Sequence, residues 1–223
     1  MRSLVATLVF LILVAEVAFA EPSYSLEIKS IYNGSVSGGT FYDGPVAQAC
    51  ITNPVGKHNY FGIWASTNLN GENNFGNEVD YFVGQCRTID KLGVDYGANY
   101  YEMMPLWSKK GDAVAAYTNL TYPIGKWQVK FHAEHDFVTE NSCVPGTMYS
   151  LAACRKVGTL NLTLMAGGHL EGYGLQAEAM SYGAVEVSIP QSKNMSWSVR
   201  VVKPTRPNGM ADDAVIVGLT YSK

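Results

Sequence analysis

Strand-length alternation of apolar and polar residues recurs from one end of this chain to the other, and it limits what the chain can fold into. In Gly158-Thr-Leu-Asn-Leu-Thr-Leu-Met165, Leu160, Leu162 and Leu164 take one parity and Thr159, Asn161 and Thr163 the other. Successive side chains of an extended strand point to opposite faces, so this segment is a ribbon with one greasy and one polar side. Ala214-Val-Ile-Val-Gly-Leu-Thr-Tyr-Ser222 repeats the pattern, with Val215, Val217, Leu219 and Tyr221 on one face. Such ribbons satisfy their backbone polar groups across a bilayer only by closing into a barrel.

The ends of the chain suit export. Residues 1–20 read as a signal peptide: Arg2 gives the positive start, Leu4 to Val14 the apolar stretch, and Ala18-Phe-Ala20 the small residues for cleavage. The remainder, 21–223, reads as one β-barrel domain. Glu16 interrupts the apolar run, which is too short for a retained spanning helix, and no later segment is a candidate for one. Charged residues make up only 16% of the chain, low for a water-soluble domain, and the net charge of −3 argues against nucleic acid as a partner.

Alternation and turn residues together predict twelve strands, at 24–33, 45–53, 59–68, 77–88, 93–103, 113–122, 126–136, 147–155, 158–168, 176–189, 195–203 and 213–222. Their connections fall into two classes. Tight turns are expected at Pro54-Val-Gly-Lys57, Asp90-Lys-Leu-Gly93, Pro123-Ile-Gly125, Lys156-Val157 and Pro190-Gln-Ser-Lys-Asn194. Longer links, around 34–44, 69–76, 104–112, 137–146, 169–175 and 204–212, alternate with them. Outer-membrane barrels show this segregation, with short periplasmic turns and long outer loops.

Parity also sorts the charges. Glu78 and Asp80 oppose Val79, Tyr81 and Val83; Lys130, His132 and Glu134 oppose Val129, Phe131 and Ala133; Arg200 opposes Val199 and Val201. A charge on the lipid face costs a few kcal/mol near mid-bilayer, so the expected lumen lining is Glu78, Asp80, Asp95, Lys130, His132, Glu134, Glu178, Glu186 and Arg200. Arg87 breaks the parity, at a strand end where the cost is small. Tyr32, Tyr60, Tyr100, Tyr122, Trp127, Trp197 and Tyr221 lie near strand ends and suit interfacial girdles. Cys50, Cys86 and Cys154 share the polar parity and Cys143 falls in a loop, which suits small lumen fillers better than a disulfide; none has metal-site spacing.

Several segments together resemble a known family. Gly39-Thr-Phe-Tyr-Asp-Gly-Pro-Val-Ala-Gln48, Phe61-Gly-Ile-Trp-Ala-Ser66, Glu78-Val-Asp-Tyr-Phe-Val-Gly84 and Leu92-Gly-Val-Asp-Tyr-Gly-Ala-Asn-Tyr-Tyr101 are similar to the TorF family of porins, bacterial outer-membrane β-barrels, over most of the mature chain. The resemblance implies a channel for small solutes. The last strand departs from a barrel's usual aromatic end, because the chain finishes in Lys223.

Catalytic chemistry finds little support. Lys130, His132 and Glu134 could supply a base with a carboxylate partner, but no serine stands in a nucleophile context, and Gly34-Ser-Val-Ser-Gly-Gly39 carries Val36 where an elbow needs serine. His58, His132, His135 and His169 do not form a ligand set by spacing, and the sequons at Asn33, Asn119, Asn161 and Asn194 read as chance. The expectation is an all-β, single antiparallel transmembrane barrel of about twelve strands in the outer membrane. It would be a non-enzymatic porin without cofactors, its partners the lipid bilayer and small polar solutes or ions. Carboxylates outnumber bases on the polar face, which would mildly favour cations. Two rivals stay open: a non-conducting structural or surface-contact barrel, and a soluble secreted barrel that turns its apolar stripe inward onto a small apolar ligand.

Overall fold

A computed structural model describes residues 21–34, 37–71, 77–103, 113–137, 146–172, 178–205 and 211–223. The expected signal peptide and Cys143 lie outside them. Fourteen strands follow in chain order: β1 (Ser23–Lys29), β2 (Tyr32–Asn33), β3 (Thr40–Tyr42), β4 (Val46–Val55), β5 (Asn59–Asn68), β6 (Glu78–Ile89), β7 (Leu92–Met103), β8 (Ala113–Ile124), β9 (Trp127–Phe137), β10 (Gly146–Val157), β11 (Leu160–Gly172), β12 (Glu178–Pro190), β13 (Met195–Pro204) and β14 (Ala214–Ser222). Twelve of them, β1 and β4 to β14, pair antiparallel with their chain neighbours, and β14 returns to β1 through Ser25–Ser222 and Leu26–Tyr221 to close a barrel. Closure removes the open edge that lipid would not tolerate. Strands β4 to β14 are 9–13 residues long, which suits a tilted span of the hydrocarbon core.

The faces follow the sequence parity. Val215 is 59% exposed and its neighbour Ile216 only 5%, and the alternation repeats along β13, where Trp197, Val199 and Val201 are exposed. A continuous apolar exterior on this scale suits lipid, not water. It is also the reverse of what a soluble barrel with an apolar cavity requires.

At one end the turns are short because single residues take the left-handed backbone. Asp90, Gly125 and Gly158 have φ of 54°, 59° and 62°, each at the first of the two residues between paired strand ends. A positive φ there matches the twist of the hairpin. The third of these turns is Gly158-Thr159; Lys156 and Val157, expected as the turn, are the last residues of β10. Glycine's tolerance of that backbone outweighed the alternation that placed it in a strand.

The first predicted strand also differs. It stops at Lys29, and Tyr32–Asn33 pairs instead with Thr40–Tyr42 in a separate small hairpin, β2–β3. Asn33 holds that hairpin by donating to the carbonyls of Gly38 and Gly39, at 2.7 and 3.0 Å. Tyr32 is therefore not a girdle residue. It is buried, packs on Trp64 with ring centroids 5.7 Å apart, and donates to Glu78. Burial first, then the Glu78 carboxylate, push its phenol well above the usual tyrosine range, so it stays a donor.

Candidate functional site

The interior is identified by contacts that skip strands. Tyr60 on β5 reaches Asp95 on β7 and Tyr117 on β8, and Tyr101 on β7 reaches Glu134 on β9, past the intervening strand. Such bonds can form only across the concave side of the sheet. Tyr60, expected at the interface girdle, thus faces inward. It shares a parity with Trp64 and Ser66, and the glycines opposite explain how it fits. Gly84 and Gly97 are cross-strand partners on β6 and β7. An added methyl at Gly84 would lie 2.5 Å from the Tyr117 hydroxyl, and one at Gly97 2.6 Å from it. Two bare backbones make the space in which the phenols meet.

From this point one hydrogen-bonded chain crosses five strands. Tyr60 donates to Asp95 Oδ1, so Tyr117 donates to the Tyr60 oxygen. Asn119 Nδ2 donates to Asp95 Oδ2 at 3.0 Å, and its carbonyl oxygen accepts from His132 Nδ1 at 2.6 Å. The His132 proton is thereby fixed on Nδ1. Among the described residues its Nε2 has no hydrogen-bond partner, and it stands 3.9 Å from Glu134 Oε2. Glu134 accepts from Tyr101 at 2.7 Å and from Asn99 Nδ2 at 3.4 Å. Glu78 accepts from Tyr32, and Asp80 follows two residues on in β6, on the same face.

Cation partners are unevenly distributed over this interior. Glu186 and Arg200 are register partners on β12 and β13 and pair at 2.7 Å; Glu27 and Lys29 pair on β1. Among the described residues, no lysine or arginine lies within ion-pair distance of Glu78, Asp80, Asp95 or Glu134. Lys130, beside His132 in parity, is exposed and faces Thr121 and Ala152 across its ladders. Glu178 pairs its backbone with His169, and its side chain lies outside the described residues.

The two halves of the barrel differ in filling. Buried side chains in the described strands, among them Val46, Gln48, Glu78, Ala115, Glu134, His169, Tyr182, Val202 and Ile216, come from the ends nearest the long loops. There Tyr182, Ala184, Val202, Ala211, Ala214 and Ile216 form an apolar cluster with Ile31 and Met165 against it. The β2–β3 hairpin docks on this cluster: Gly38 abuts the Tyr182 ring, Asp212 donates its backbone N–H to the Gly38 carbonyl at 3.3 Å, and Thr40 N–H donates to the Asp212 carboxylate at 2.8 Å.

The turn half is hollow. A cavity of about 400 Å³ is lined by Thr52, Tyr60, Phe82, Asp95, Asn99, Tyr117, Asn119 and His132. A second, of about 550 Å³, continues toward the short turns past Lys57, His58, Cys86 and Thr121 and shares Asp95 and Asn119 with the first. Cys50, Cys86 and Cys154 are free thiols. Among the described residues there is no cluster of three or more His, Cys, Asp or Glu side chains fit to hold a metal.

The sequence singled out the acids but not the tyrosines and amides that hold them. Parity carries that signal for Asn99, Tyr101, Tyr117 and Asn119, which alternate on the face of Asp95 and Gly97. For Tyr60 and Tyr32 the position near a strand end pointed to the interface instead.

No family model matches the chain, and no curated protein does. Solved structures do. The KdgM porin aligns with a TM-score of 0.61 at 10% identity, over 90% of this chain and 99% of that one. An outer membrane channel from Pseudomonas putida F1 aligns at 0.59 with 9% identity, over 93% and 96%. The NanC porin aligns at 0.55 with 10% identity, over 91% and 98%. At these identities the likeness is one of fold: this chain has the architecture of outer-membrane porin-like barrels.

Proposed function

We propose that the protein is a narrow, cation-favouring channel of the outer membrane, with its short turns toward the periplasm and its long loops outside. One observation carries this reading. Among the described residues, Glu78, Asp80, Asp95 and Glu134 face the interior with no lysine or arginine within ion-pair distance, whereas Glu186 and Glu27 each have one. A barrel filled only for stability gains nothing from unmatched buried carboxylates, which cost several kcal/mol when dry. In a wet lumen they set a negative potential that draws cations. The apolar exterior makes lipid the surrounding solvent. Kinship with the TorF porins, carried by the motifs at 39–48, 61–66, 78–84 and 92–101, belongs to the same proposal, as does transport in place of catalysis. His132 is held by Asn119 through its Nδ1.

KdgM is known in complex with oligogalacturonate. A polyanion is a poor cargo for this interior, since like charges would meet at each of the four acids. The packed loop half favours a second reading, a barrel that does not conduct. Conductance of the detergent-refolded mature chain in a planar bilayer under a salt gradient separates the two. The channel reading expects discrete steps with a cation-shifted reversal potential, and a smaller shift for Glu78→Gln with Asp80→Asn. A folded, inserted barrel that never conducts would support the second reading. An unchanged reversal potential in the double variant would remove these two acids from selectivity.

A further inference from the structure

The hollow turn half contains a site for one class of solute. Tyr60, Phe82 and Tyr117 present aromatic surface to the 400 Å³ cavity, with the Tyr60 and Phe82 rings 6.1 Å apart and inclined at 64°. Asp95 supplies a carboxylate to the same cavity, held between Tyr60 and Asn119, one on each oxygen. Its charge is not matched by any lysine or arginine within ion-pair distance among the described residues. Thr52, Asn99, Asn119 and His132 complete the wall.

We propose that this cavity binds small organic ammonium ions, entering from the periplasmic mouth. The chemistry of the lining selects that class. An aromatic ring attracts a cation through its face, most strongly where water is excluded, and a fixed carboxylate adds a charge that an uncharged solute cannot use. A strongly hydrated metal ion would have to shed water for aromatic carbon, whereas a methylated or primary ammonium carries its own apolar coat. The size suits a molecule at the small end of ligand pockets. Asp95 and Asn119 line the neighbouring 550 Å³ cavity as well, so the site lies on the route to the short turns. As the solute class of a channel, the assignment rests on the conducting reading above; binding itself does not.

The test is calorimetric titration of the refolded full chain in detergent with choline chloride and with 3,3-dimethyl-1-butanol, its uncharged isostere. Wild type should bind choline in the millimolar range or tighter and discriminate against the isostere. Asp95→Asn keeps the acceptor for Asn119 and can donate to Tyr60, so the barrel should fold; choline affinity should fall by about tenfold. Phe82→Leu nearly preserves volume without the π face and should weaken choline by about threefold, leaving the isostere unchanged. A flat wild-type titration, equal binding of the isostere, or unchanged choline affinity in both variants would overturn the proposal. If Asp95→Asn does not fold, Phe82→Leu and the isostere decide it alone. Choline binding by a barrel silent in the bilayer keeps the site and removes the channel. Conduction without choline binding does the reverse.

Discussion

Gly38→Ala should release the β2–β3 hairpin from the barrel mouth. Gly38 has a φ of +71°, where an L-residue costs about 1–2 kcal/mol. A methyl added there would lie 2.6 and 2.7 Å from two carbons of the Tyr182 ring and 3.1 Å from the Ala211 methyl. Tyr182 is 2% exposed and has nowhere to retreat, so overpacking adds about 1–3 kcal/mol. The sum, about 2–5 kcal/mol, stands against what holds the hairpin down. Four hydrogen bonds among the described residues dock it, from Tyr32 to Glu78, from Thr40 to Asp212, from Asp212 to Gly38 and from Asn70 to Tyr42, at about 0.5–1.5 kcal/mol each, plus the burial of the Tyr32 ring. The two quantities are comparable, so the undocked population should rise by roughly 30- to 5,000-fold, each 1.4 kcal/mol being tenfold. Single-channel recording should show larger or more frequent openings, and protease added from the loop side should cut within residues 30–45. Gly56→Ala is the control: φ is +61° and nothing lies within 4 Å, so it carries the backbone cost alone, at the opposite end of the barrel. A Gly38→Ala barrel with wild-type heat-modifiable mobility, conductance and protease pattern would refute the docking argument.

Two further outcomes are expected. Arg200→Glu leaves Glu186 beside a like charge in a mostly hidden pair and should lower stability by about 3 kcal/mol, measured by urea unfolding in lipid vesicles; adding Glu186→Arg should restore most of it. If the double variant is as unstable as the two singles combined, the ion pair does not hold β12 to β13. Cys86 lines the turn-side cavity and is exposed, so a cationic methanethiosulfonate should label it faster than Cys50 or Cys154. Equal rates for the three thiols would contradict a vestibule open at that end.

Much of this architecture was legible because two physical periods are hard to disguise. A membrane strand must alternate, and a barrel must keep its lipid face uncharged, so the strand at 59–68 and most other boundaries follow from parity and turn residues together. Loop length added direction. Val215, Val217, Leu219 and Tyr221 sharing a face marked the last strand, and the structure shows that it pairs with β1. The misplacements have local causes. Gly158 continues an alternating run but takes a positive φ, which no hydrophobic pattern encodes. Tyr32 continues the parity of β1, which assigns it to that strand on sequence grounds. The chain turns off the wall after Lys29 because Tyr32 gains Trp64 and Glu78, partners 32 and 46 positions away.

The interior charges show where parity stops being informative. It places Glu186, Arg200, Glu78 and Asp80 on one face and treats them alike, as a lining of mixed sign. Pairing depends instead on register: Glu186 meets Arg200 because β12 and β13 align them, while Glu78 and Asp80 meet Tyr101 and Met103 across β7 and Trp64 and Ser66 across β5. A lining that reads as six acids against two bases therefore divides. One wall, at β12 and β13, is neutralised and packed; at the other, β5 to β9, the acids have no lysine or arginine beside them among the described residues, and phenols and amides hold them. In the channel proposed above, the packed half would restrict passage at the loop end, and the hollow half would offer recognition at the turn end. A solute coming from the turns would meet Asp95 before the Tyr182 cluster, so a variant at Asp95 should alter which solute binds, and one at Gly38 whether anything passes.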